Sequence, residues 1–125
     1  ENLLLQEENN DASIKLADFG FAKKVKRENG LKTMLGTPAF MAPEIFDWRK
    51  SGYDQRCDLW SVGVVVFSLL GGYLPFVGKD VKEISMLVKR GEYTFHDEYW
   101  RDISPSAKKL ISALLQVDPN NRLSA

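Results

Sequence analysis

The chain has 125 residues, which is ordinarily one domain and is enough to bury a real core. Seventeen basic residues balance seventeen acidic ones, so a nucleic-acid surface, which usually shows as a basic excess, is not expected. The longest apolar run, 62–70, is too short to span a bilayer, which takes about 20 residues, so no membrane partner is expected either. Cys57 is the single cysteine. It excludes an internal disulfide and favours an intracellular location, in the cytoplasm or the nucleus.

The first residues predict two short strands. The apolar run 3–5 is followed by a polar, turn-like stretch, 6–11, and residues 13–17 then alternate between polar and apolar types. Alternation of this kind is typical of a half-buried strand. The pattern therefore predicts a hairpin that leads into Asp18. The next segment, 21–40, has no sustained periodicity and predicts a solvent-exposed basic loop.

The rest of the chain predicts helices. Pro43 suits the first turn of a short helix through Phe46. Residues 58–70 predict a helix that is apolar on nearly all sides and that ends at the following glycine pair. Residues 79–89 have their apolar side chains on one face and predict an amphipathic helix. Ser104, followed by a proline, predicts the N-cap of a helix that breaks at 118–121. The fold is therefore expected to be mainly helical, with little strand.

Three motifs occur in a set order: D-F-G at 18–20, A-P-E at 42–44 and D-L-W-S-V-G at 58–63. In this order and at these separations they resemble the C-terminal lobe of a eukaryotic protein kinase, in which an activation loop joins the first two motifs. The resemblance covers 1–125. It implies a partial kinase domain, from the end of the catalytic loop through the activation segment to the following helices. The fold that it implies is a mainly α helical bundle with a short β-hairpin carrying D-F-G, without the N-terminal lobe.

Two features narrow the family. The string Gly36-Thr37-Pro38 looks like that of serine/threonine kinases rather than tyrosine kinases. The strings at 73–78, 91–95 and 118–119 look like the calmodulin-dependent kinase group, and checkpoint-type kinases share much of this pattern.

The resemblance assigns chemistry to three residues near the D-F-G motif. Asp18 matches the metal ligand of that motif and Asn2 matches the catalytic-loop Asn that holds the second magnesium ion, so ATP and Mg²⁺ are the implied cofactors. Thr37 resembles the loop threonine that touches the catalytic Asp and shapes the acceptor pocket. The catalytic Asp itself would lie four residues before Glu1, outside the chain.

Two further assignments concern regulation and substrate. Thr33 matches the activating phosphorylation site, which implies an upstream activating kinase; the alternative is an ordinary solvent-facing hydroxyl. Glu1 matches an acid that contacts a basic residue upstream of the acceptor, and the alternative is a solvated chain end.

Three residues are expected to be structural. Glu44 and Arg122, which lie 78 residues apart in the sequence, match an ion pair that braces the activation segment against the helices. Asp58 has two readings that the sequence does not separate. It is either the N-cap of its helix or the acid that holds the catalytic-loop backbone.

The resemblance implies a serine/threonine protein kinase that transfers the ATP γ-phosphate to protein hydroxyls. The isolated chain is expected to be inactive, because the ATP-binding lobe and the catalytic Asp lie outside it. The alternatives are a pseudokinase, or a scaffold or interaction module that keeps the lobe without the chemistry. Protein substrates are the expected partners, and a calmodulin-binding segment would lie beyond Ala125.

Overall fold

The structure is a computed structural model, and it describes residues 3–7, 10–20, 22, 36–47 and 53–125. These residues form a mainly helical fold with one two-stranded antiparallel sheet, as the sequence predicts. In chain order the elements are β1 (Leu3–Glu7), β2 (Asn10–Leu16), a 3₁₀ helix (Pro38–Phe40), α1 (Pro43–Phe46), α2 (Arg56–Gly71), α3 (Val81–Arg90), α4 (Asp97–Trp100) and α5 (Pro105–Leu114).

The hairpin is longer than the sequence predicts. Leu3 pairs with Leu16 and Glu7 with Asn10, with an irregularity in the register between Leu5 and Glu7. The polar stretch predicted as a loop is therefore mostly strand. The reason is that the backbone ladder joins the strands whatever the polarity of their side chains. Exposed apolar side chains lie along this hairpin, and Ile14 is 60% exposed.

Helix α2 begins at Arg56, two residues before the predicted start. The carboxylate of Asp54 accepts the backbone N–H of Arg56 at 2.9 Å, which satisfies one of the donors that a helix N-terminus leaves free. The helix ends where predicted. Gly72, at φ +76°, takes the left-handed conformation and donates its N–H to the carbonyl of Ser68.

The core lies around α2. Trp60 stacks on Phe76 with ring centroids 5.4 Å apart, and Phe67 contacts Trp100 at 4.8 Å. All four side chains are fully buried, and each contributes on the order of 1.5–3 kcal/mol through burial. Helix α5 packs closely against α2. A Cβ atom added at Gly63 of α2 would lie only 2.8 Å from the Cβ atom of Leu114 in α5. This packing makes α2 and α5 one unit.

The ends of the later helices follow from their caps. Asp80 accepts the N–H of Glu83 at 2.8 Å, so α3 begins at Val81 rather than at Lys79. The Ser104 hydroxyl accepts an N–H of the first turn of α5 at 3.2 Å, which confirms the predicted N-cap. Helix α5 ends at Leu114, before the predicted break.

Two short elements are absent from the sequence predictions. The 3₁₀ helix Pro38–Phe40 and helix α4, Asp97–Trp100, span three and four residues. That is about one turn each, too short for a hydrophobic period to show. In the part of the chain that the structure describes, no helix has the length and apolarity needed to cross a membrane.

Candidate functional site

Asp18 lies just beyond the end of β2, in an unusual backbone conformation. It is the one described residue other than glycine with a positive φ, at 60°. Asp tolerates this left-handed region better than most residues, at a cost of about 1–2 kcal/mol. Its Oδ1 accepts the N–H of Gly20 at 3.1 Å. The side chain is exposed, so a carboxylate of the type that Mg²⁺ prefers is presented at the end of the strand.

Phe19 does not pack in the core. Here the Phe19 side chain is 67% exposed, and the described core contains no hairpin residue. Phe19 therefore lies outside the described core.

Thr37 precedes the 3₁₀ helix and is exposed. Its carbonyl accepts the N–H of Phe40 at 3.0 Å, whereas its hydroxyl makes no capping hydrogen bond. The helix itself is anchored, because Ser61 of α2 donates its hydroxyl to the carbonyl of Phe40 at 2.9 Å. Thr37 thus presents its hydroxyl from a fixed segment. Its contact with a catalytic Asp stays a prediction.

Glu44 and Arg122 form an ion pair across 78 residues of sequence. Arg122 Nη1 lies 2.7 Å from Glu44 Oε1 and Nη2 lies 3.0 Å from Oε2, a bidentate arrangement. The side chain of Arg122 has no exposed surface and that of Glu44 is 13% exposed. The sequence motifs matched to this pair are therefore in contact, and the bracing role inferred for it stays a prediction.

Arg122 has further partners that satisfy its buried charge. Its Nε donates to the carbonyl of Gln116 at 3.1 Å, and its Nη1 also donates to the carbonyl of Arg56 at 2.8 Å. The guanidinium lies 5.2 Å from the ring centroid of Trp60, within cation–π distance. One buried arginine thus links α1, the start of α2 and the segment after α5.

Asp58 is not the N-cap of α2. It lies in the first turn, whereas the N-cap is Gln55. The capping interpretation is therefore wrong, because the helix begins two residues earlier than predicted. Asp58 is exposed, and its Oδ1 accepts a weak hydrogen bond from the Cys57 thiol at 3.7 Å. Its interaction with a catalytic-loop backbone stays a prediction.

Cys57 is buried near the carboxylates of Asp58 and Glu44. Burial, followed by the charges of Asp58 and Glu44, raises the pKa of the thiol to about 12. At neutral pH it is therefore a protonated, unreactive thiol, since the thiolate is the nucleophile. Nothing in its environment resembles a catalytic cysteine.

The remaining predicted site residues, Glu1, Asn2 and Thr33, lie outside the described residues. Among the described site residues, the structure brings Glu44 and Arg122 into contact. Their roles in binding magnesium, substrate and phosphate stay predictions.

One cluster of charged residues is not predicted by the sequence. Asp54 and Arg56 form an ion pair at the start of α2, with Nη2 of the arginine 2.8 Å from Oδ2 of the aspartate. Hydrogen bonding from Arg56 lowers the pKa of Asp54. The signal in the sequence is only an acid and a base two residues apart, a spacing too common to single out.

The chain belongs to the protein kinase domain family, whose family model matches residues 1–125. The match extends over the whole chain, and the ordered motifs around Asp18 and Glu44 agree with it.

Three named relatives are each 42% identical to this chain over the aligned residues. The chain is 42% identical over 125 residues to Myosin light chain kinase A of Dictyostelium discoideum, covering 100% of this chain and 42% of the relative. It is 42% identical over 123 residues to Calcium-dependent protein kinase 5 of Plasmodium berghei, covering 98% of this chain and 21% of the relative. It is also 42% identical over 127 aligned positions to human Ribosomal protein S6 kinase alpha-3, covering 98% of this chain and 17% of the relative. The chain thus spans less than half the length of each of these relatives.

Proposed function

We propose that this chain is the larger part of the C-terminal lobe of a serine/threonine protein kinase. The whole protein transfers the γ-phosphoryl group of ATP to Ser or Thr hydroxyls of protein substrates. The observation that carries the proposal is the kinase family match over residues 1–125. The names of the relatives, which include calcium-dependent and myosin light chain kinases, favour the calmodulin-dependent kinase-like group.

The order of the elements supports the proposed lobe assignment. A hairpin precedes Asp18, the A-P-E motif lies at the start of the short helix α1, and α2 follows in the sequence. Phosphoryl transfer asks a protein mainly to hold phosphates, metal ions and the acceptor in line. In this proposal the hairpin presents the metal-binding carboxylate, and the helices support the segment that receives the protein substrate.

Asp18 and Asn2 are the residues that would hold magnesium. The exposed Asp18 carboxylate suits a hard cation that prefers oxygen ligands. Magnesium held by these two residues would supply positive charge beside the nucleotide phosphates. The protein's own contribution is to fix the carboxylate at the end of β2, and the Gly20 hydrogen bond to Oδ1 limits its rotation.

The other predicted roles belong to the same mechanism. Thr37 shapes the acceptor pocket from its position just before the 3₁₀ helix, and Asp58 supports the catalytic loop. Phosphorylation of Thr33 by an upstream kinase adds about −1.5 to −2 charges, which can order a loop through basic partners. Glu1 reads a basic residue of the substrate. The protein is proposed to act inside the cell, in the cytoplasm or the nucleus.

The test is a phosphotransfer assay with the full-length protein, magnesium and labelled ATP. Matched peptides carry a single Ser, Thr or Tyr as acceptor, and the isolated 125-residue chain serves as the comparison. We expect transfer to the Ser and Thr peptides, little to the Tyr peptide, and none above background from the isolated chain. Nucleotide binding without transfer to any peptide would contradict the proposal in favour of a pseudokinase.

A further inference from the structure

Arg56 joins two parts of the fold that are far apart in sequence. Its guanidinium Nη1 donates to Asn120 Oδ1 at 2.7 Å and to the Pro119 carbonyl at 3.3 Å. Asp54 holds the other side of the same guanidinium, accepting from Nε at 3.1 and 3.0 Å and lying 2.8 Å from Nη2. The guanidinium thus has hydrogen-bond partners on two sides, and the Asp54 carboxylate, two residues away in the sequence, fixes its orientation.

The segment that Arg56 contacts carries Arg122. Asp118 fixes the turn from within, because its Oδ1 accepts the N–H of Asn120 at 2.8 Å and its carbonyl accepts the N–H of Asn121 at 3.1 Å. Arg122 follows directly and inserts its fully buried side chain toward Glu44. A shift of this turn would therefore move the buried guanidinium.

The backbone of Arg56 makes a second connection. Arg122 Nη1 donates both to Glu44 Oε1 and to the Arg56 carbonyl, at 2.7 and 2.8 Å. The same residue therefore contacts the turn through its side chain and the buried arginine through its carbonyl. Both the side-chain contact with the turn and the carbonyl contact with Arg122 therefore affect the position of the Arg122 guanidinium beside Glu44.

We propose that Asp54 and Arg56 form an outer clasp that positions the Glu44–Arg122 ion pair, and through it the substrate-facing segment 37–46. Arg56 is a positioning residue and touches no reacting group. The clasp is about one-third exposed, so solvent screens its direct contribution to stability. Its effect is on the position of segment 37–46 and is therefore local. The link from this segment to the protein acceptor rests on the proposed kinase function.

The test compares Arg56→Gln with Arg90→Gln in the full-length protein. Arg90 lies 3.6 Å from Glu92, also two residues away, but both side chains are more than half exposed. This control removes the same charge from an ion pair of the same spacing. A third variant, Asn120→Ala, removes the partner of Arg56 from the other side without altering the start of α2. The double variant of Arg56 and Asn120 completes a cycle.

The first readout is hydrogen exchange of α1, where the Ile45 N–H is bonded to the Ala42 carbonyl. We expect Arg56→Gln and Asn120→Ala each to speed exchange there about three- to tenfold, with little change in α3. The double variant should match the single ones rather than multiply them. Exchange in Arg56→Gln equal to that in Arg90→Gln, or a uniform increase throughout the domain, would overturn the clasp.

The second readout separates this inference from the proposed function. With active enzyme, KM for the acceptor peptide should rise about three- to tenfold while KM for ATP stays unchanged. An equal rise in both KM values would overturn the positioning role. If the wild-type protein transfers no phosphate, the kinase proposal fails, and the exchange cycle alone still decides whether the clasp exists.

Discussion

Glu44→Gln tests the buried ion pair with the smallest change of shape. The substitution keeps one oxygen that can accept from Arg122, but it replaces the other with an NH₂ group that faces a donor. The two bonds of 2.7 and 3.0 Å thus become one, and the carboxylate charge is lost. The side chain of Arg122 has no exposed surface, so water cannot replace the lost partner.

The expected cost is about 2–4 kcal/mol in the free energy of unfolding. Removing one partner of a buried pair costs about 3–5 kcal/mol. The cost expected here extends below that range because Arg122 keeps its bonds to the carbonyls of Gln116 and Arg56 and its position over Trp60. In the folding equilibrium constant, this is a change of about 30- to 1,000-fold.

The assay is equilibrium urea unfolding of the kinase domain that contains this chain, with Glu92→Gln as the control. Glu92 is 54% exposed and lies 3.6 Å from Arg90, so its substitution should cost less than about 0.5 kcal/mol. The denaturant slope should stay the same in both variants, since neither changes the surface exposed on unfolding. A Glu44→Gln midpoint equal to that of the control would refute the reasoning.

Three further predictions concern single side chains. Gly71→Ala should destabilise the domain by about 1–3 kcal/mol in urea unfolding, because the new Cβ would lie 2.7 Å from the buried Trp100 ring; an unchanged midpoint would contradict this packing. Ser104→Ala should cost about 1 kcal/mol through loss of the α5 cap, and Ser106→Ala, exposed in the same turn, should be nearly neutral; equal effects would reject the cap. Burial raises the pKa of Cys57 to about 12, so a thiol reagent at pH 8 should label it only after urea unfolding, and fast labelling of the native protein would show that the thiol is accessible.

The sequence predicts most of the helices because their ends carry local signals. Ser104 and its proline define the start of α5, and the glycines at 71–72 define the end of α2. The periodicity of 79–89 predicts α3 within two residues. Local hydrogen bonding of caps and the burial of apolar faces act over a few residues, so they can be read directly from the chain.

Contacts between distant segments could be predicted only through the family resemblance. The Glu44–Arg122 pair follows from matched motifs, since nothing near either residue in the sequence indicates the other. The Arg56 contacts with 119–120 have no motif and were missed. Asp58 was misplaced relative to its helix because Asp54 satisfies the Arg56 N–H and extends α2 toward the N-terminus.

Phosphotransfer by an Asp18→Asn variant of the full-length protein tests the central claim most directly. The amide keeps the shape and an oxygen for the Gly20 N–H but loses the charge that would hold magnesium, so transfer to a Ser or Thr peptide should fall by at least about 100-fold while the domain stays folded. The control is Asp102→Asn, an exposed carboxylate between α4 and α5, which should transfer at the wild-type rate. Phosphate transfer by the Asp18→Asn variant at the wild-type rate would contradict the account.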